Sequence, residues 1–309
     1  MEAFVTMITP YTKEGQVDYK TAEKYVDWYF EAGLDGIFAV CQSSEIFWLS
    51  LDEKVKLNSV VYHRAKQLEK KYGRKFTVVS SGHTSDSLEE QAKELNAIWE
   101  SGTDNLILIT NRLDPNNEGD DVFIKNAEQL LAMLPADVKL GLYECPYPYK
   151  RLMTPKLIDW CISTGKFYYM KDTCCDIEMM RQRLQQVEGT QFKLYNANGQ
   201  TLLETMKDGA EGYCGIMTNF HPKLYAWLCH EFENQPEKAE VVQAILGTFA
   251  FTESPMPYPL SAKYHMNLCG MPTENFARNR KAEELTPYVE FNMRQMKLAT
   301  DYMEKELGL

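Results

Sequence analysis

Two side chains in this sequence have the type and the placement for covalent chemistry on a carbonyl compound. Lys171 ends the β-rich run Phe167-Tyr168-Tyr169-Met170-Lys171. Strand alternation predicts that Phe167, Tyr169 and Lys171 share one face. An ammonium carried into an apolar interior is costly until it gives up its proton, and the neutral amine is the form that attacks a carbonyl. Pattern alone leaves a second option, a solvated lysine where the strand leaves the sheet. Tyr143 ends the preceding run, Leu140-Gly141-Leu142-Tyr143. A phenol beside that amine can carry protons to and from a carbinolamine or enamine. A core tyrosine with a satisfied hydroxyl is the alternative.

A third element is the polar turn Cys41-Gln42-Ser43-Ser44-Glu45. Its hydroxyls and backbone N–H groups suit a carboxylate, or else they cap the next helix. Asn111 and Arg112 follow the fourth strand and Lys150 and Arg151 follow the fifth, while Cys214 and Gly215 end the eighth. All six are expected to line a substrate pocket.

These residues must be gathered by a repeating scaffold. Short β-rich runs recur at Phe4–Ile8, Gly36–Val40, Phe76–Ser80, Asn105–Thr110, Lys139–Tyr143, Phe167–Lys171, Phe192–Tyr195 and Gly212–Ile216. Between them lie amphipathic stretches such as Asp18–Ala32, Leu51–Tyr72, Ser85–Ser101, Asp121–Leu134, Pro155–Thr164, Asp176–Val187 and Thr201–Lys207. Strands that alternate with helices pair in parallel through right-handed crossovers. Eight such units predict an α/β fold, a (β/α)8 TIM barrel whose catalytic groups occupy the C-terminal strand ends. Glycine after four of the helical stretches (Gly33, Gly102, Gly165, Gly209) marks left-handed caps.

After about Phe220 the strand signal stops. Leu224–Glu233, Glu237–Phe251, Leu260–Leu268 and Thr286–Leu307 read as helices, broken by Pro255, Pro257 and Pro259. The first completes the barrel. The expected division is a barrel over 1–233 and a C-terminal helical appendage over 234–309, packed on the barrel.

Composition narrows the class. A 44% hydrophobic fraction supports a large core, and a net charge of −11 argues against a nucleic-acid partner. No apolar run approaches the roughly 18 residues of a membrane span, and the N-terminus carries no secretory pattern, so a cytoplasmic protein with reduced thiols is expected. Cys174-Cys175 is not a redox or zinc spacing, and His63, His83, His221, His230 and His265 show no metal-binding pattern. No phosphate-cradling glycine loop appears. Arg278, Arg280 and Lys281 read as a basic patch on the tail surface.

In chain order, Ile8-Thr9-Pro10, Cys41-Gln42-Ser43-Ser44-Glu45, Tyr143-x-x-Pro146 and Lys171-Asp172-Thr173 resemble the motifs of the dihydrodipicolinate synthase/N-acetylneuraminate lyase family of class I aldolase-type barrels. The resemblance spans nearly the whole chain. It implies a pyruvate-type Schiff base on Lys171, proton relay through Tyr143, a substrate-carboxylate turn with Ser43 as its best-matching hydroxyl, and a structural Glu45. It also implies a homo-oligomer, dimer or tetramer, and needs no cofactor. The departures bear on substrate. Gln42 replaces a hydroxyl residue, Cys41 and Ser44 replace glycines, Thr110-Asn111-Arg112-Leu113 lacks the family's tyrosine pair, and Pro148 stands where synthases place an arginine.

The resulting expectation is a carbon–carbon lyase or aldolase acting on a 2-oxo acid or its aldol adduct, such as a keto-deoxy sugar acid. A synthase-like condensation or a dehydratase using the same lysine imine is the near alternative. A non-catalytic metabolite-binding barrel is the distant one.

Overall fold

The computed structural model describes residues 1–253 and 256–309. Eight parallel strands close into a barrel in sequence order: β1 (Glu2–Thr6), β2 (Gly36–Phe38), β3 (Thr77–Ser80), β4 (Asn105–Ile109), β5 (Leu140–Tyr143), β6 (Phe167–Asp172), β7 (Lys193–Asn196) and β8 (Gly212–Gly215). β1 closes the ring against β8, with Glu2 opposite Gly212. Only glycine fits there: φ is +151°, and a Cβ would lie 1.8 Å from the Glu2 carbonyl oxygen.

The helices α1 (Tyr19–Glu31), α2 (Leu51–Tyr72), α3 (Leu88–Glu100), α4 (Thr110–Leu113), α5 (Asp120–Leu131), α6 (Pro155–Thr164), α7 (Ile177–Val187), α8 (Leu202–Lys207) and α9 (Pro222–Glu231) fall between or after the strands. Local signals set their ends. Ser50 and Glu53 form a capping box at the start of α2, and Gly73 ends that helix in a left-handed cap. Thr154 caps α6, with Pro155 in its first turn. The tail adds α10 (Pro236–Glu253), α11 (Leu260–Leu268) and α12 (Pro287–Leu307). Pro257 and Pro259 separate α10 from α11, while Pro255 lies outside the described residues.

Two expectations are corrected. Thr110 does not extend β4; it begins the short helix α4. Phe167 does not share a face with Tyr169 and Lys171, because the register of β6 on β5 shifts between Leu140 and Gly141, where Leu140 pairs with Phe167 but Gly141 pairs with Tyr169. That bulge turns Phe167 outward onto Trp160 and Phe192. Tyr169 and Lys171 keep the inner face.

The inner layer is aromatic: Tyr169 stacks on Tyr195 at 4.4 Å, and Phe4 meets both rings. An outer layer of Leu106, Leu108, Leu140, Leu142, Met170 and Leu194 packs under the helices. Tail residues Leu246, Met266, Met293 and Met303 belong to the same buried cluster as Phe4, Val26 and Tyr213. Barrel and tail therefore share one core. No helix among the described residues is long and apolar enough to cross a membrane.

Candidate active site

Strand ends β5 and β6 bring the two expected catalytic groups together. Tyr143 and Lys171 are direct cross-strand partners, and Lys171 is also paired with Tyr195 of β7. Lys171 is 4% exposed, and its Nζ stands 4.4 Å from the centre of the Tyr143 ring and 6.0 Å from that of Phe38. Among the described residues no carboxylate lies within ion-pair distance of it. The amine is held by aromatic faces rather than by a counter-charge.

The Tyr143 hydroxyl donates to Gln42 Oε1 at 3.1 Å. Burial pushes its pKa well above the usual phenol value, and the neighbouring thiols Cys145 and Cys41 add to the shift. The phenol is therefore protonated at neutral pH. Cys145 and Cys214 are protonated too, since burial pushes both thiols up to about 11.

A buried network anchors both strand ends from behind. Arg183 of α7 bonds Glu144 at 2.9 Å and also contacts Asp172. Glu144 further accepts the amides of Met153 at 2.7 Å and Thr173 at 2.9 Å. Because strand side chains alternate, Glu144 and Asp172 point outward where Tyr143 and Lys171 point inward. The network thereby fixes the ends of β5 and β6 from the side opposite the cavity.

Lys171 and Tyr143 line a cavity of about 510 Å³, together with Gln42, Ser43, Lys150 and Gly215 from the expected set. The Ser43 hydroxyl donates to Thr6 Oγ1 at 3.1 Å, and the Lys150 Nζ to the Thr173 carbonyl at 2.7 Å.

Five expected pocket residues do not line it. Ser44 is buried, and its hydroxyl contacts the carbonyls of Met7 and Ala39 at 2.7 and 2.8 Å, tying the turn to β1 and β2. Asn111 spends its amide on the carbonyls of Cys145, Tyr147 and Tyr149, clamping the loop after β5. Arg112 is neutralised by Asp86 at 2.9 Å. Arg151 is held by Asp114 and Asp120 at 2.9 and 2.7 Å. Cys214 is fully buried behind the lining. His83, in the loop after β3, is also internal: its Nδ1 accepts the Ile109 amide at 2.9 Å.

The family model described as the dihydrodipicolinate synthetase family matches residues 1–286. The chain belongs to that family. It is 25% identical over 291 residues to a 4-hydroxy-tetrahydrodipicolinate synthase from Saccharophagus degradans, covering 86% of this chain and 95% of the relative. Its fold is similar to that of the chloride-inhibited dihydrodipicolinate synthase from Acinetobacter baumannii complexed with pyruvate, with a TM-score of 0.80 at 19% identity over 97% of this chain and 98% of that one. It also resembles a synthase variant described as the first monomeric one, with a TM-score of 0.85 at 16% identity over 98% and 97% of the two chains.

Within this family member, one wall of the cavity was not anticipated from sequence. Met256, Tyr258, Pro259, Asn279 and Arg280 of the tail face the barrel mouth. The signal was present in Glu45. That carboxylate, on the turn after β2, accepts the backbone amides of Arg278 at 2.6 Å and Asn279 at 3.0 Å. A buried acid with no partner on its own turn needs donors from elsewhere.

Among the described residues no group of three or more His, Cys, Asp or Glu is placed to hold a metal.

Proposed function

We propose that the chain is a class I lyase or aldolase that binds a small 2-oxo acid as an imine on Lys171. The juxtaposition of the Lys171 Nζ and the Tyr143 ring, 4.4 Å apart on the wall of the cavity, supports this reading most strongly. The neutral amine adds to the C2 carbonyl, and the carbinolamine loses water to give a protonated imine. That imine is an electron sink. Removal of a C3 proton, or cleavage of the C3–C4 bond, leaves the electron pair in an enamine.

Tyr143 holds the proton that these steps move. In the condensing direction the phenol protonates the alkoxide formed when the enamine attacks an aldehyde; in cleavage the proton returns. Gln42 orients the phenol but carries no ionisable proton of its own. Ser43 and Gln42 border the cavity where the substrate carboxylate would rest.

Reduction with borohydride in the presence of pyruvate tests the proposal. A covalent adduct located on Lys171 and absent from Lys171→Ala supports the enzyme; no adduct on the wild type favours a non-catalytic binding barrel. A synthase-like condensation is the second reading, favoured by the name of the relatives. Product analysis with pyruvate plus aspartate semialdehyde, set against keto-deoxy sugar acids, separates the two. A cytoplasmic homo-oligomer, dimer or tetramer, completes the proposal, and light scattering measures the assembly.

A further inference from the structure

The phenol of Tyr143 shares its acceptor with a thiol. Gln42 Oε1 receives the Tyr143 hydroxyl at 3.1 Å and the Cys145 Sγ–H at 3.5 Å. The same thiol reaches the Tyr147 carbonyl at 3.4 Å, and phenol and thiol are hydrogen-bonding partners of each other. Cys41, also close to the phenol, is turned to the Phe38 carbonyl at 3.7 Å.

Cys145 is held in place by its backbone. Its amide closes a tight turn on the Tyr143 carbonyl at 2.9 Å, which folds the thiol back beside the ring. The Asn111 side-chain amide clamps the Cys145 and Tyr147 carbonyls, both at 2.9 Å. The thiol is fully buried and does not line the cavity, so it meets the phenol and not the substrate.

This arrangement matters once Tyr143 has released its proton. Its oxygen is then an anion facing Gln42 Oε1, acceptor against acceptor. A buried anion without a donor is costly. The Gln42 oxygen has no hydrogen to give, whereas a thiol has one. Burial raises Cys145 to about 11, and the charge on Lys171 works in the opposite direction.

We propose that Cys145 donates its S–H hydrogen to the Tyr143 phenolate, so that a buried thiol refills the phenol during imine chemistry on Lys171. The idea rests on that imine. When the carbinolamine loses water, the phenol O–H breaks and the departing hydroxide takes the proton. The Cys145 S–H then breaks, the phenol O–H re-forms, and the sulfur holds the negative charge that balances the protonated imine. Hydrolysis of the imine returns the proton by the same route. Cys145 acts only through Tyr143.

Deuterium uptake into the methyl group of pyruvate, followed by NMR in heavy water, tests the proposal. It needs the imine and its enamine but no aldehyde. Rates are compared for the wild type, Cys145→Ala, Cys145→Ser, Tyr143→Phe and the double variant Tyr143→Phe/Cys145→Ala, beside borohydride trapping of pyruvate on the wild type. Cys145→Ala should slow exchange at saturating pyruvate by about 10–100-fold, the span of a hydrogen bond to a charged group, with KM unchanged. Cys145→Ser keeps a donor and should restore part of the rate. In the Tyr143→Phe background the Cys145→Ala change should cost nothing further, because the two residues act as a unit. A wild-type rate in Cys145→Ala, an equal loss in both backgrounds, or serine no better than alanine overturns the relay. Failure of pyruvate trapping instead overturns the imine, so the two failures are distinguishable.

Discussion

Tyr143 and Gln42 form the least conventional pairing in the site. Burial keeps the phenol protonated, and that proton points at a carboxamide oxygen that can accept it but pass nothing on. Tyr143→Phe should therefore lower kcat by about 10²–10⁴-fold while pyruvate is still trapped on Lys171, because proton transfer is lost and the amine is not. Gln42→Ala removes the acceptor without removing the proton. It should cost kcat roughly 10-fold, about one net hydrogen bond of alignment, with a smaller effect on KM for pyruvate. Steady-state rates measured beside trapping yields check both. That Lys171 and Tyr143 stand side by side at the barrel mouth was legible in the sequence, because each ends a strand and the two strands are consecutive. Asn111, Arg112 and Arg151 misled for a physical reason. A polar residue after a strand can serve a ligand or close its own loop, and the choice depends on where Asp86, Asp114 and the β5 loop carbonyls fold to.

Between elements, the positions of Tyr143 and Lys171 depend on Arg183. It bonds Glu144 and Asp172, the residues next to Tyr143 and Lys171 in sequence and on the outer side of the strands. All three side chains are almost fully buried. Removing Arg183 strands two carboxylates in the interior, so Arg183→Ala should destabilise the fold by about 3–5 kcal/mol, read from the urea midpoint. Any folded remainder should bind pyruvate less well, since both strand ends lose their outer anchor. Strand and helix order was readable from hydrophobic period and glycine punctuation. The bulge that turns Phe167 outward was not, because Phe167, Tyr168 and Tyr169 are all aromatic and any of them suits either face. Helix α4 was likewise hidden by its brevity.

For the molecule as a whole, three buried histidines set an acid limit. Burial lowers His83 to about 4 and His265 to about 3, and holds His221 well below the usual value. At His83 the reason is visible: Nδ1 accepts the Ile109 amide, so a proton there would face another N–H. Each histidine takes up its proton more readily when unfolded. Their contribution is present above about pH 6.5 and is lost as pH falls toward 4, at about 1.4 kcal/mol per pH unit for each residue. Urea midpoints at pH 7 and pH 5 should differ accordingly; equal midpoints would rule the histidines out as the cause.

The attachment of the tail through Glu45 has one more consequence. Lys171 and Tyr143 belong to strands locked in a closed ring, whereas Asn279 and Arg280 on the far wall belong to a loop moored by two amides on Glu45 and by the Arg278 guanidinium on Glu53. Descendants of this chain could exchange that loop and acquire new diets while inheriting the same chemistry unaltered.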